Sequence, residues 1–121
     1  DFLPTACELA GLPIPTGLDG MSYAPALLGK EQRPHRFLYW EFHERGASQA
    51  VRVGKWKGVR TQLRKNPEAL LELYDLETDP GETKNLAAEH PEIVQRLMRV
   101  IHSQHIADPN WKFPTDPQPQ D

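Results

Sequence analysis

The chain has 121 residues, 38% hydrophobic and 26% charged, with a formal net charge of −3. That length fits one domain with a real core and leaves little for a second. No apolar run approaches the roughly 20 residues of a membrane span, the charge is not the basic balance that nucleic acid attracts, and a single cysteine, Cys7, rules out an internal disulfide while leaving the redox compartment open.

The sequence starts at Asp1 without methionine and runs at once into a helix-start pattern, so we expect a piece of a longer protein whose export signal is not to be read here. Residues 1–11 set Phe2, Leu3, Ala6, Leu9 and Ala10 on one stripe, with Asp1 able to cap the first turn and Gly11 placed to end the helix. Cys7 lies on this stripe without a neighbouring cation to activate it, and reads as a buried structural thiol rather than a nucleophile. Residues 12–20 are too rich in proline and glycine for regular structure, Ser22 can cap a brief helix that Gly29 ends, and 30–36 form a polar loop.

Four short strands follow. Residues 37–43 are dense in aromatics, with Leu38, Trp40 and Phe42 on one side and Phe37, Tyr39, Glu41 and His43 on the other. A loop around Gly46 leads to strands at 50–53 and 56–61, joined by Gly54 and Lys55 as a two-residue hairpin turn. A polar connector then reaches a strand at 70–76, in which Leu71, Leu73 and Leu76 interleave with Glu72, Tyr74 and Asp75. Proline and glycine in Thr78-Asp-Pro-Gly81 stop it, the glycine being free to take positive φ, so the stretch 72–86 bridges sheet and helix.

Pro91 and Glu92 open a helix whose stripe is Ile93, Val94, Leu97, Val100 and Ile101, suited to cover one sheet face. Beyond it lies a proline-rich tail with Trp111 and Phe113 as anchors and its last residues disordered. The fold class expected is α+β, a four-stranded antiparallel sheet packed by one long C-terminal helix and preceded by a short helix and loop.

Few residues of the chain are candidates for chemistry. His102 and His105 are three apart near the helix C-terminus, where positive charge is favourable, and two ligands make a poor metal site. Glu41 and His43 share a strand face and read either as polar residues on the wet side of the sheet or as an acid–base or ligand pair. His35 and His90 have loop and capping explanations. The run Arg52, Lys55, Lys57, Arg60 can point several cations at one anionic group, or form a solvated face paired with the eight acidic residues between 68 and 92. No glycine-rich phosphate loop, Ser-His-Asp set or carboxylate cluster is present.

Five strings taken together, Asp1-Phe-Leu-Pro-Thr-Ala-Cys-Glu-Leu-Ala-Gly11, Leu18-Asp-Gly-Met-Ser-Tyr-Ala-Pro-Ala-Leu-Leu-Gly29, Tyr39-Trp-Glu41, Ala50-Val-Arg-Val-Gly-Lys-Trp-Lys57 and Glu72-Leu-Tyr-Asp-Leu with Asp79-Pro-Gly-Glu and Asn85-Leu-Ala87, resemble in this order the C-terminal part of type I sulfatases. These are the arylsulfatase A-like enzymes of the alkaline phosphatase-like superfamily. The resemblance implies that residues 1–30 are the remnant of a catalytic α/β domain, 31–106 the sulfatase C-terminal subdomain and 107–121 a tail without family role. It implies a parent that hydrolyses a sulfate ester with formylglycine and calcium, both belonging to an N-terminal domain that would be this chain's partner. It also implies an exported parent, periplasmic, secreted or lysosomal, although the residues themselves name no compartment. Cys7 is followed by Glu-Leu-Ala-Gly and does not match the formylglycine motif Cys-x-Pro/Ser/Ala-x-Arg, and no calcium-ligand cluster matches, so no catalytic or metal residue transfers and the stretch alone should be inactive.

By the same resemblance the subdomain borders the substrate cleft. His43, Glu44, Arg45, Gln49, Arg52 and Lys57 are the candidates to meet a sulfated small molecule or glycan. Two other readings stay open: a stand-alone module that binds anions or sulfated glycans on its basic strands, and a purely structural interaction domain with an exposed apolar patch around the helix from Phe2 to Ala10.

Overall fold

The structure, a computed structural model, describes residues 1–117. The disorder expected of the last residues falls on 118–121, outside the described residues. The backbone divides into two compact units, Asp1–His35 and Arg36–Asp121.

The first unit holds α1 (Phe2–Leu9) and α2 (Ala24–Leu27). Asp1 does not cap α1 with its side chain; its carboxylate instead accepts the Met21 N–H at 2.9 Å and pairs with His35 at 2.8 Å. The buried side of α1 is Pro4 and Thr5, not the predicted stripe, because the Thr5 hydroxyl donates to the Asp1 carbonyl at 2.7 Å and accepts the Tyr23 N–H at 3.0 Å. That polar link turns α1 so that Phe2, 78% exposed, stands outside with Leu3 and Leu9, while Cys7 is half-buried rather than buried.

The second unit is the expected α+β arrangement. Strands β1 (Leu38–Phe42), β2 (Ser48–Val53), β3 (Trp56–Arg60) and β4 (Glu72–Asp75) form an antiparallel meander in sequence order, and α3 (Pro91–Gln104) packs on it. The β2–β3 turn is the predicted two-residue one, with Val53 opposite Trp56 and Gly54 at φ 59°. β2 begins two residues earlier than alternation suggests, because Gln49 pairs with both Glu41 and Arg60 although it is polar.

After β4 the positive φ falls on Glu82 (54°) and not on Gly81. The Asp79 carboxylate winds this loop by accepting the Thr83 and Lys84 N–H groups at 2.7 and 2.9 Å. The loop then shields the outer edge of β4: the Leu86 N–H donates to the Leu73 carbonyl at 2.7 Å, and the Asn85 side chain accepts the Leu73 N–H at 3.0 Å. Two ladder groups that an edge strand leaves open are thereby closed.

Val51, Leu71, Leu73, Leu97 and Ile101 make the main core, with Tyr39, Val53, Trp56, Ile93 and Val94 packed against it. Full burial of an aliphatic side chain such as Leu97 or Ile101 contributes about 1.5–3 kcal/mol before entropy. A small second core joins Ala47, Leu63 and Phe113. Among the described residues no helix is long and apolar enough to cross a membrane.

Candidate functional site

Pairing registers put Glu41, Gln49 and Arg60 in one cross-strand row, and Tyr39, Val51, Gly58 and Leu73 in the next. Both rows lie on the face that α3 covers. Glu41 is therefore not on the wet side of the sheet, as the bland reading had it; that side carries Trp40 and Phe42, 47% and 51% exposed. Alternation places Tyr39 and Glu41 on one face, and the apolar stripe of α3 selects which face is covered.

The buried row is a hydrogen-bonded chain. Tyr39 donates its hydroxyl to Glu41, and the Gln49 amide donates to the Tyr39 hydroxyl at 3.0 Å and to Glu41 at 3.3 Å. Arg60 donates Nη1 to Gln49 Oε1 at 3.1 Å, Nε to the Ala69 carbonyl at 2.9 Å and Nη2 to the Pro67 carbonyl at 2.6 Å. Burial lowers the Arg60 pKa from its ordinary value, yet a guanidinium stays charged in proteins. Burial, and after it the neighbouring Glu41 carboxylate, push the Tyr39 hydroxyl far above its ordinary range, so it remains a donor.

His105 closes the chain. It follows α3 in an extended conformation (φ −66°, ψ 125°), with Nδ1 2.5 Å from Glu41 Oε1 and Nε2 2.5 Å from Asp116 Oδ1. Ionised carboxylates only accept, so the ring satisfies both only as the doubly protonated imidazolium. Burial works against that charge, but the hydrogen bonds to Glu41 and Asp116 outweigh it and raise the His105 pKa. At Asp116, burial pushes the carboxyl up, and the Phe113 N–H at 2.6 Å together with His105 brings it below the usual carboxylate range. The two carboxylates bind opposite nitrogens of one ring and do not converge on a point. Among the described residues no group of three His, Cys, Asp or Glu can hold a metal ion.

Next to this network lies the loop 43–47, where Arg45, Gly46 and Ala47 are consecutive positive-φ residues at 48°, 97° and 60°. Left-handed backbone is costly for arginine and alanine and persists where the surroundings over-determine it. Here they do. The Ala47 carbonyl accepts the Leu63 N–H at 3.1 Å, the Gly46 carbonyl accepts the Arg64 N–H at 2.8 Å, and Arg64 Nη2 donates to the His43 carbonyl at 3.0 Å. From the other side the tail returns: Phe113, 2% exposed, fills the core with Ala47 and Leu63. The His43 ring meets the edges of Phe113 (centroids 4.9 Å, 82°) and Trp111 (5.5 Å, 65°). Of the two predicted tail anchors only Phe113 is one. Trp111 is 64% exposed, because residue 113 takes the place in the second core and leaves Trp111 outside it.

The predicted site residues divide accordingly. His43, Glu44 and Arg45 sit together on the loop 43–47, the last two exposed. Gln49 is 2% exposed and acts inside the network. Arg52 and Lys57 are opposite each other on the far face of the sheet; Arg52 donates to the Gly54 carbonyl at 3.0 Å, and Lys57 pairs with Glu82. Lys55 pairs with Asp75 at 2.7 Å, so the basic run meets the acidic segment and does not surround one anion. Tyr39, Arg60, His105 and Asp116 escaped sequence reasoning as a group. His105 is 64 residues from Glu41 and 11 from Asp116, with no fixed spacing to mark them.

An open groove of about 550 Å³ runs beside the network, lined by Gln49, Arg60, Glu68, Met98, His102 and His105 among others. The guanidinium that could bind an anion there already donates to two carbonyls and to Gln49.

A family model described as N-sulphoglucosamine sulphohydrolase, C-terminal, matches residues 1–107. The chain is 39% identical over 95 residues to a delta 4,5-hexuronate-2-O-sulfatase of Bacteroides thetaiotaomicron, a match that covers 74% of this chain and 19% of that protein. To arylsulfatase A of Homo sapiens it is 35% identical over 126 aligned residues, covering 83% of this chain and 25% of the relative. These two matches thus span 19% and 25% of the relatives' own length. Among solved structures, a protein in complex with its substrate D-glucosamine-2-N,6-O-disulfate shares the fold at TM-score 0.67 and 24% identity, over 85% of this chain and 22% of that one. A candidate sulfatase from Bacteroides thetaiotaomicron superposes at TM-score 0.62 with 30% identity, over 98% of this chain and 30% of that one.

Proposed function

This chain belongs to the N-sulphoglucosamine sulphohydrolase C-terminal family of sulfatases, and from that premise we propose that it is the C-terminal portion of an enzyme that hydrolyses a sulfate ester or sulfamate of a sugar. In this reading the portion completes the fold and borders the substrate cleft, and the remainder of the protein supplies the catalytic groups. The observation that carries it is the match along residues 1–107 to one sulfatase family. Relatives named for hexuronate and N-acetylglucosamine sulfates, and a fold neighbour solved with a glucosamine disulfate, favour a sulfated uronate or amino sugar as substrate class.

Formylglycine and calcium, implied by the resemblance for such enzymes, do not fit the described residues. Half-buried Cys7 lacks the sequence around it that the conversion needs, and no three ligating side chains converge. What these residues contribute is binding: the loop with His43, Glu44 and Arg45, its carbonyls at 43, 46 and 47 bonded to Leu63 and Arg64, offers polar and cationic groups in a backbone already formed, which lowers the ordering cost of binding. On the other sheet face Arg52 adds positive charge, while Lys57 is paired with Glu82. The proposed partner of this portion is the protein's own N-terminal catalytic domain, and the exposed Phe2, Leu3 and Leu9 of α1 suit such a contact. A stand-alone polyanion-binding module has less support, because Lys55, Lys57 and Arg60 are already engaged by this chain's own carboxylates and carbonyls.

The test is sulfate release by the full-length protein from sulfated uronate and glucosamine disaccharides, compared with residues 1–121 alone. Release by the first and none above a buffer blank by the second is expected. Turnover by residues 1–121 would overturn the non-catalytic role, and no release by the full-length protein from any sulfated sugar would overturn the class. In the full-length enzyme, His43→Ala and Arg45→Asn, the latter a residue that tolerates left-handed backbone, should raise KM about tenfold with kcat held, equivalent to about 1.4 kcal/mol of binding.

A further inference from the structure

The C-terminal strap, residues 108–116, lies beyond the family match, which ends at residue 107. Its path is held at several points. The Asp108 carboxylate accepts the Asn110 N–H at 2.7 Å and the Trp111 N–H at 3.2 Å, closing a turn just before the exposed indole. Phe113 is buried with Ala47 and Leu63, and Asp116 closes a second turn with Phe113 while binding His105. Between these anchors the strap runs past His43, whose ring touches both Trp111 and Phe113 edge-on.

Trp111 is not needed to hold the strap: its turn and its neighbour in the core are fixed, and the indole itself is largely exposed. The His43 ring lies beside it at 5.5 Å between centroids, Lys112 is its neighbour in sequence, Arg64 donates to the His43 carbonyl, and Arg45 is exposed two residues from His43. An exposed indole beside an imidazole, with Lys112 next in sequence and Arg45 two residues from that histidine, suits the chemistry of a sulfated sugar. The C–H face of a pyranose covers an indole, while its sulfate or carboxylate meets positive charge.

We propose that Trp111 and His43 form a stacking subsite for a sugar ring of the sulfated saccharide, and that Phe113 and Asp116 act as positioning residues that hold it. The ligand class rests on the sulfatase reading above; the geometry of the subsite does not. In the full-length enzyme, kcat and KM are measured on a sulfated disaccharide and on a small aryl sulfate that has no sugar. Trp111→Ala should raise the disaccharide KM about tenfold with kcat held, and so reduce the preference for disaccharide over aryl sulfate by that factor, with Trp111→Phe recovering most of it. Asp116→Asn should shift the same preference, and should add little once Trp111 is already alanine. A preference within about twofold of wild type in Trp111→Ala would overturn the subsite. Equal loss on both substrates would reduce the strap to a structural element and overturn it as well. If the wild-type protein releases no sulfate from any substrate, the sulfatase reading has failed, and the subsite is judged by fluorescence titration of the full-length protein with the sulfated disaccharide. Saturable quenching that disappears in Trp111→Phe retains the subsite; its absence in wild type overturns it.

Discussion

Two adjacent rows on one sheet face, under one helix, are buried by opposite means. In the row Tyr39, Val51, Gly58, Leu73, apolar side chains meet Leu97 and Ile101, and a Cβ at Gly58 would come within 2.8 Å of Leu71, so even the gap is filled. Two residues along, the row Glu41, Gln49, Arg60 meets His105 and Asp116 through hydrogen bonds. Removal of area from water is non-directional and tolerates small shifts. A buried donor without its acceptor is costly, so the polar row permits one arrangement. Among the described residues no buried side-chain nitrogen or oxygen lacks a partner. The apolar row therefore supplies most of the stability, whereas the polar row sets geometry, and it is the polar row that reaches the loop and strap carrying the proposed site.

The largest loss is expected in the dry row. Leu97→Ala, at the centre of the dry row, should cost about 2–5 kcal/mol in urea unfolding, with the gap to wild type nearly independent of pH. A loss under about 1 kcal/mol would mean that the helix is not held chiefly by its apolar face. Arg60→Met tests the other row. It keeps much of the volume but leaves Gln49 Oε1 and the carbonyls of Pro67 and Ala69 without their donor, for an expected cost of about 2–3 kcal/mol. Wild-type stability in this variant would show that the polar row adds nothing that methionine cannot replace.

The same contrast explains what the sequence disclosed. The dry row was legible: alternation and a helical stripe are local signals, and Val51, Leu73, Leu97 and Ile101 all carry them. So was the turn at Gly54 and Lys55, which depends on two adjacent residues. The polar row was not. Alternation groups Glu41 with Tyr39, but aromatics on both faces of β1 leave the choice of buried face to α3, which begins 50 residues later (Glu41 to Pro91). Arg60 looked like one more surface cation in a basic run, and its burial depends on carbonyls from residues 67 and 69. Trp111 and Phe113 carry similar aromatic signals in a proline-rich stretch, and only packing against Ala47 and Leu63 separates them. Of the proposed site, loop 43–49 was visible through family resemblance, whereas the strap that flanks it was not.

The smallest effect is the most discriminating, because only the polar row contains groups that titrate near neutrality. Folding raises the His105 pKa above its unfolded value of about 6.5, so the stability it supplies is complete below that pH and is lost as pH rises through the higher folded-state pKa. Folding lowers the Asp116 pKa, so its contribution is present above the unfolded value of about 3.9 and is lost as pH falls through the lower folded-state pKa. The charged groups near the ring act in opposite senses: Glu41 on β1 and Asp116 on the strap favour the imidazolium, the Arg60 guanidinium on β3 keeps its positive charge while bonded to carbonyls and Gln49 and opposes it, and His43 on the loop lowers the Asp116 pKa. His105→Gln should therefore lie about 1–2 kcal/mol below wild type in mildly acid solution, where a neutral amide replaces the cation that serves both carboxylates. The gap should narrow as pH is raised from about 5 through 7 to 9, as the wild-type ring loses its proton. Leu97→Ala, measured alongside, should keep a constant gap across that range. A His105→Gln gap that widened with pH, or ran parallel to that of Leu97→Ala, would mean that the ring is neutral at this junction and that the strap is not fastened by charge.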